Sequence, residues 1–207
     1  KRYWGPTGAL VSAVFYMYAP YRAVDVWVRG ALPEALAFVL FPLILFFLET
    51  KKYRLLALSL ALLVITHNLS LYMFLPFMGL WWLVRSRDLK VIVVGLVSLL
   101  LAAFYLLPVS LESSAVTLSN ITKDYYNYPL HYTSLSQLFL SRFWGYGGST
   151  WGPNDTMSFS VGHIHWILPV FLGLLLFLKA RYMPRGSVGL FVMFGILGVF
   201  GLFLTHG

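Results

Sequence analysis

The chain contains no cysteine, which excludes disulfides, thiolate zinc sites and a cysteine nucleophile and leaves the redox compartment unmarked. Charge is scarce too: Asp, Glu, Lys and Arg make up 11% of the 207 residues, against about 25% in a soluble domain. Acidic residues are the scarcest, seven against 15 Lys and Arg, for a formal net charge of +8. That excess does not imply nucleic acid as a partner, because the basic residues form no single patch. They sit as Lys51, Lys52 and Arg54, as Arg85, Arg87 and Lys90, and as Lys179, Arg181 and Arg185, between apolar runs. Cytoplasmic loops of membrane proteins are marked in this way.

What is abundant is apolar: 59% of residues are hydrophobic and 18% aromatic, and the mean hydropathy is +0.79. Long apolar runs lie at roughly 7–19, 31–48, 55–84, 91–107, 166–178 and 187–205. A spanning helix needs about 20 residues, so lipid is the expected solvent for most of this surface. The chain opens at Lys1 and stops at Gly207 just after an apolar run, with no cleavable signal peptide in view. These ends read as those of a fragment of a longer protein. No internal repeat or linker divides it, and residues 1–207 are expected to form one transmembrane domain.

The run 55–84 is flanked by basic clusters at both ends, and the positive-inside rule puts both ends in the cytoplasm. Two crossings satisfy that and one does not. The expected turn lies at Thr66, His67 and Asn68, the polar triplet of the run, recessed where non-helical backbone needs protein or water beside it. The alternative is one long tilted helix with a core histidine. With the hairpin, about seven crossings result. Residues 20–30, the hairpin tip, the loop 108–165 and Thr205–His206 then face the non-cytoplasmic side. The fold class is therefore all-α, a polytopic transmembrane bundle with short interfacial helices in the external loop.

Polar residues with chemical potential gather on that outer side. Arg22, Asp25 and Arg29 have spacings of three and four and share a helical face. Gly30 breaks the segment, Pro33 suits the first turn of the next helix, and Glu34 there meets the favourable end of the dipole. Two readings stay open: an exposed ion network on an interfacial helix, or arginines that bind a phosphate while Asp25 or Glu34 handles a proton. His67 and Asn68 mark the recessed tip. In the external loop, Tyr125, Tyr126, Tyr128 and Tyr132 stack on sugar rings or join an interfacial aromatic belt. Leu135, Leu138, Phe139 and Phe143 have the spacing of a helix lying on the membrane plane. Gly145, Gly147 and Gly148 permit a tight turn or close backbone approach. No GK[ST] follows them, so this is no phosphate-cradling P-loop. Asp155 follows Pro153 and Asn154 in a turn. The five histidines, His67, His131, His163, His165 and His206, lack thiolate partners and any HExxH-type spacing. No metal site and no cofactor is expected.

The segments YAPYRAVDVWVRGALPEALAF, THNLSLYMFLP and WGYG…GPND.MSFSVGHIH carry a resemblance over essentially the whole chain. The chain resembles bacterial and archaeal membrane proteins labelled "6-pyruvoyl-tetrahydropterin synthase-related domain", which are grouped with glycosyltransferases of GT-C architecture. The resemblance implies a multi-pass protein of the cell membrane. It implies sugar transfer from a polyprenyl-phosphate-linked donor to an acceptor, still to be identified, on the non-cytoplasmic face, with membrane lipid as a partner. Asp25, Glu34 and His67 are the catalytic candidates, and Arg22, Arg29, Asn68, Tyr125, Tyr126, Asp155 and His163 the substrate-binding candidates; of these, Asp25, Arg29 and Glu34 match positions that recur in the family. The architecture further implies a catalytic acid in a first outer loop upstream of Lys1. The rival reading is a transporter or flippase for a lipid-linked or anionic substrate, which Gly- and Pro-interrupted helices also suit.

Overall fold

A computed structural model describes residues 5–115, 127, 131–148, 156–178 and 185–206. All regular structure among them is helical. In chain order these are α1 (Gly5–Met17), α2 (Pro20–Ala23) with a π-helical turn after it (Val24–Val28), α3 (Leu32–Glu49), α4 (Tyr53–Thr66) and α5 (Asn68–Arg85). There follow α6 (Lys90–Leu101), α7 (Ala103–Leu111), a 3₁₀ turn (Ser113–Ala115), α8 (Leu135–Phe139), α9 (His163–Leu178) and α10 (Arg185–His206). The chain divides into two compact units, Lys1–Gly30 with Ile121–Gly207, and Ala31–Asn120.

In the unit Ala31–Asn120, α4 is the central helix, packed on α3 along one side and α6 along another. Its buried residues include Leu56, Leu60, Leu63 and Val64, and α3 meets them with Ala37, Leu40, Ile44 and Leu48. That spacing puts the buried residues on one face of α3, while Leu36, Val39, Leu43 and Phe46 leave the other face apolar and exposed. Phe41 of α3 stacks on Phe74 of α5, their ring centroids 4.4 Å apart.

The apolar run at 55–84 folds as the hairpin rather than as one tilted helix. As a straight helix it would hold Tyr53 and Asp88 about 50 Å apart, at 1.5 Å per residue. Instead the Tyr53 hydroxyl donates to the Asp88 carboxylate, and Arg85 at the end of α5 pairs with Glu49 at the end of α3, at 3.1 Å. The reversal takes place at His67, whose φ of −157° and ψ of 93° end α4 and cap α5. Glu34, in the first turn of α3, thus lies at the end of the unit opposite residues 49–54.

The run 91–107 departs from the expected single crossing. It is divided at Ala102 into α6 and α7, bent by 68°. Ala102 has left helical geometry, at φ −90° and ψ 3°, and its methyl is fully buried. Helix α7 carries Pro108 inside it and runs to Leu111, so it takes in the first four residues of the segment expected as external loop. Among the described residues, α3 alone is long and apolar enough to cross a membrane by itself, and α6 with α7 qualifies only as a bent pair.

In the other unit, α2 begins with Pro20 and passes into the π-helical turn, where the Arg29 amide reaches back to the Val24 carbonyl at 2.9 Å. Gly30, at φ 65°, stops the segment as its sequence position predicts. Helix α8 is held by a capping box in which Ser134 and Gln137 bond reciprocally. The helix expected through Phe143 ends at Phe139, and beyond it Ser141 Oγ accepts the Phe143 amide at 3.2 Å in a local turn. Helix α9 is tied to α8 by the Trp166 indole, which donates to the Phe139 carbonyl at 3.0 Å. It is tied to α1 by His165, whose Nε2 lies 2.9 Å from the Phe15 carbonyl.

Candidate functional site

Asp25, Arg29 and Tyr21 form a hydrogen-bonded polar group in the unit of Lys1–Gly30 and Ile121–Gly207. Arg29 Nη1 lies 3.0 Å from Asp25 Oδ1 and donates to the Tyr21 hydroxyl at 2.6 Å. The π-helical turn sets this geometry: it widens the helix by one residue per turn yet keeps Asp25 and Arg29 paired at four residues' separation. Such turns recur at functional sites. Asp25 is 0% exposed, while the Arg29 side chain keeps 35% of its surface. The exposed ion network is therefore corrected: one partner is completely buried, and burial of a carboxylate costs several kcal/mol unless it is paired and hydrogen-bonded. Arg22 takes a different place, its guanidinium 5.2 Å from the centre of the Tyr16 ring. The shared face is thus resolved into an Asp25–Arg29 pair and an Arg22–Tyr16 stack.

A second feature of this unit is a cleft of about 490 Å³ between the loop 141–144 and the start of α9. His163, Arg142, Ser141, Ser158 and Ser160 line it, with His165 at its wall. Ser158 Oγ accepts the Ser160 amide and Ser160 Oγ accepts the Gly162 amide, at 3.2 and 3.1 Å. Gly162 stands where only glycine fits: its φ is +93°, and a Cβ would come within 2.7 Å of the Pro20 ring. The glycine turn at 145–148 makes the close approach its composition suggests, with the Gly147 amide 3.0 Å from the Thr156 carbonyl. No group of three or more His, Cys, Asp or Glu side chains placed to hold a metal ion occurs among the described residues.

In the unit Ala31–Asn120, His67 is an N-cap. Its Nδ1 accepts the Ser70 amide at 3.2 Å and lies 2.7 Å from Ser70 Oγ, which assigns the ring proton to Nε2. One ring nitrogen is thereby committed to structure. Asn68 is exposed in the first turn of α5. Glu34 occupies the first turn of α3 with Pro33 beside it. Tyr125, Tyr126 and Asp155 lie outside the described residues.

Tyr21, Arg142 and the serines at 141, 158 and 160 were not singled out by sequence reasoning. For Tyr21 the signal was present, since it stands eight residues before Arg29 on the same segment, but the π-helical turn that unites them has no sequence marker. No protein-family model matches the chain, and neither a curated protein nor a solved structure is similar to it.

Proposed function

We propose that the chain is a multi-pass membrane protein of GT-C-like architecture that transfers a sugar from a polyprenyl-phosphate-linked donor on the non-cytoplasmic face. The observation that carries this reading is the buried Asp25 holding Arg29 on a π-helical turn. A completely buried carboxylate is not a reagent for an acceptor hydroxyl, so Asp25 is a positioning residue. With Tyr21 it orients the guanidinium of Arg29, the group that acts on the donor phosphate in this reading. In the reaction, the acceptor oxygen loses its proton to a carboxylate and bonds to the anomeric carbon. The bond from that carbon to the phosphate oxygen breaks, and the phosphate leaves with the electron pair. Arg29 stabilises the charge that grows there. The membrane setting is supported by the hairpin, which puts two basic loops at one end, and by large apolar side chains exposed along α1, α3, α6 and α9.

The test is transfer of radiolabelled hexose from a polyprenyl-phosphate donor by membranes containing the protein. Arg29→Ala is expected to lose transfer about a hundredfold or more, matching the roughly 2.7–4 kcal/mol carried by one such donor, with insertion unchanged. Normal transfer by Arg29→Ala overturns the assignment. The 68° bend between α6 and α7 favours a second reading, a flippase or transporter built on a broken helix. Movement of lipid-linked sugar across proteoliposomes without any transfer selects it.

A further inference from the structure

The hairpin brings together two turns that the sequence separates by more than thirty residues. Lys51, Lys52 and Arg54 follow α3, and Arg85, Arg87 and Lys90 follow or border α5; all six are exposed. The two carboxylates at this end are already engaged. Glu49 pairs with Arg85, and Asp88 accepts from the Tyr53 hydroxyl and from the Lys90 amide at 3.0 Å. Exposed apolar side chains flank the cations: Leu55, Leu83, Val84 and Leu89, the last 69% exposed.

A second observation is independent of this convergence. Among the described residues, the only non-glycine positions with positive φ are Lys51, at 56°, and Arg87, at 51°. Both sit just past a helix end, where the left-handed conformation closes the last turn. After α3 the Lys52 amide bonds back to the Phe47 carbonyl at 2.9 Å, and after α5 the Arg87 amide bonds back to the Trp82 carbonyl at 2.8 Å. Glycine takes such positions without steric cost and is the usual residue there. Each turn instead carries a cation, in a strained backbone, and at the same end of the unit. Strain of this kind persists where the side chain has a use.

We propose that the two turns form one docking surface for the phosphate headgroups of anionic membrane lipid, with Lys51 and Arg87 as its central cations. Basic residues flanking a helix attract anionic headgroups, and Leu55, Leu83, Val84 and Leu89 reach into the adjoining acyl region. The proposal rests on the membrane reading above and is independent of sugar transfer.

The experiment uses the full chain, purified in neutral detergent and titrated with fluorescent phosphatidylglycerol or phosphatidylcholine, as wild type and as Lys51→Gly/Arg87→Gly. Wild type is expected to prefer phosphatidylglycerol, with the preference weakening as salt rises. The double variant should bind it about 25-fold more weakly, at about fivefold per cation, while unfolding at the same or a higher temperature because glycine relieves the strain. Equal binding of the two lipids overturns the proposal, as does unchanged affinity in the double variant. Competition by glycerol phosphate or polyglutamate at lipid-like concentrations also overturns it, giving the surface to a soluble anion or an acidic protein. A protein that stays soluble without detergent and floats with neither kind of vesicle sinks the membrane reading and this proposal together. One that floats with both, without preference, sinks the proposal alone.

Discussion

The Tyr53 hydroxyl donates a hydrogen bond to the Asp88 carboxylate across 35 positions of sequence, closing the base of the α4–α5 hairpin. Tyr53 opens α4 and Asp88 lies just past the end of α5. The Trp82 indole adds a bond to the Asp88 carbonyl at 2.9 Å, so both the side chain and the backbone of Asp88 are anchored.

Because both ends of the hairpin meet, residues at its tip and base lie at opposite ends of the unit. Single cysteines at Asn68 and Arg87 are expected to react with an impermeant thiol reagent from opposite sides of the membrane. Equal labelling from one side would falsify the two-crossing arrangement.

The Tyr53 hydrogen bond, followed by the Lys90 amide and the nearby charges of Lys51 and Lys90, holds the Asp88 carboxyl below its ordinary value. A carboxylate with a depressed folded pKa adds stability that is fully present above its unfolded pKa, about 3.9. That contribution is lost as pH falls through the lower folded value. Urea midpoints measured from pH 7 down to pH 3 should fall at the acid end. Asp88→Asn should flatten that part of the profile, and an unchanged acid limb in Asp88→Asn would remove Asp88 from the account.

His67 holds the first turn of α5 through Ser70. Loss of an N-cap costs about 1 kcal/mol, so His67→Ala should lower stability by that amount, and His67→Asn, a good capping residue, should restore it. Sugar transfer separates structure from chemistry: a capping role predicts that His67→Asn keeps near-normal transfer. Abolished transfer in a fully stable Asn variant would make His67 a reactive group instead.

Gly162 joins the loop 156–161 to α9 at φ +93°, against the Pro20 ring. Gly162→Ala is expected to cost about 1–3 kcal/mol, the range for a residue held in sparsely populated backbone space, with the Pro20 contact adding to it. Chemical denaturation gives the value. A neutral Gly162→Ala would mean that the start of α9 moves away from Pro20 without penalty.

Arg29 is also to be compared with Arg22, which stacks on Tyr16. If Arg29 acts on a leaving phosphate, Arg29→Lys should recover little transfer, since a point charge does not replace the planar fork. Arg22→Lys should lose much less. Equal losses at the two positions would reduce both to general charge.

The helical class, the extent of α3 and the break at Thr66–Asn68 were determined by the sequence alone. Each depends on neighbours within a few residues: an apolar run, a proline in a first turn, a polar triplet inside a second such run. The stop at Gly30 and the approximate site of α8 were legible for the same reason. Even the hairpin was legible, since charge at both ends of 55–84 is a one-dimensional signal. What the tertiary structure alone decided is where charge is buried and which distant groups meet. The sequence around Asp25 does not say whether its carboxylate is at the surface or, as in the fold, completely buried. Asp88 could find Tyr53, and Glu49 could find Arg85, only after the reversal at His67. The bend at Ala102 and the left-handed cations Lys51 and Arg87 were hidden likewise. Packing selects those backbone states against local preference, and local preference is all that a short stretch of sequence expresses.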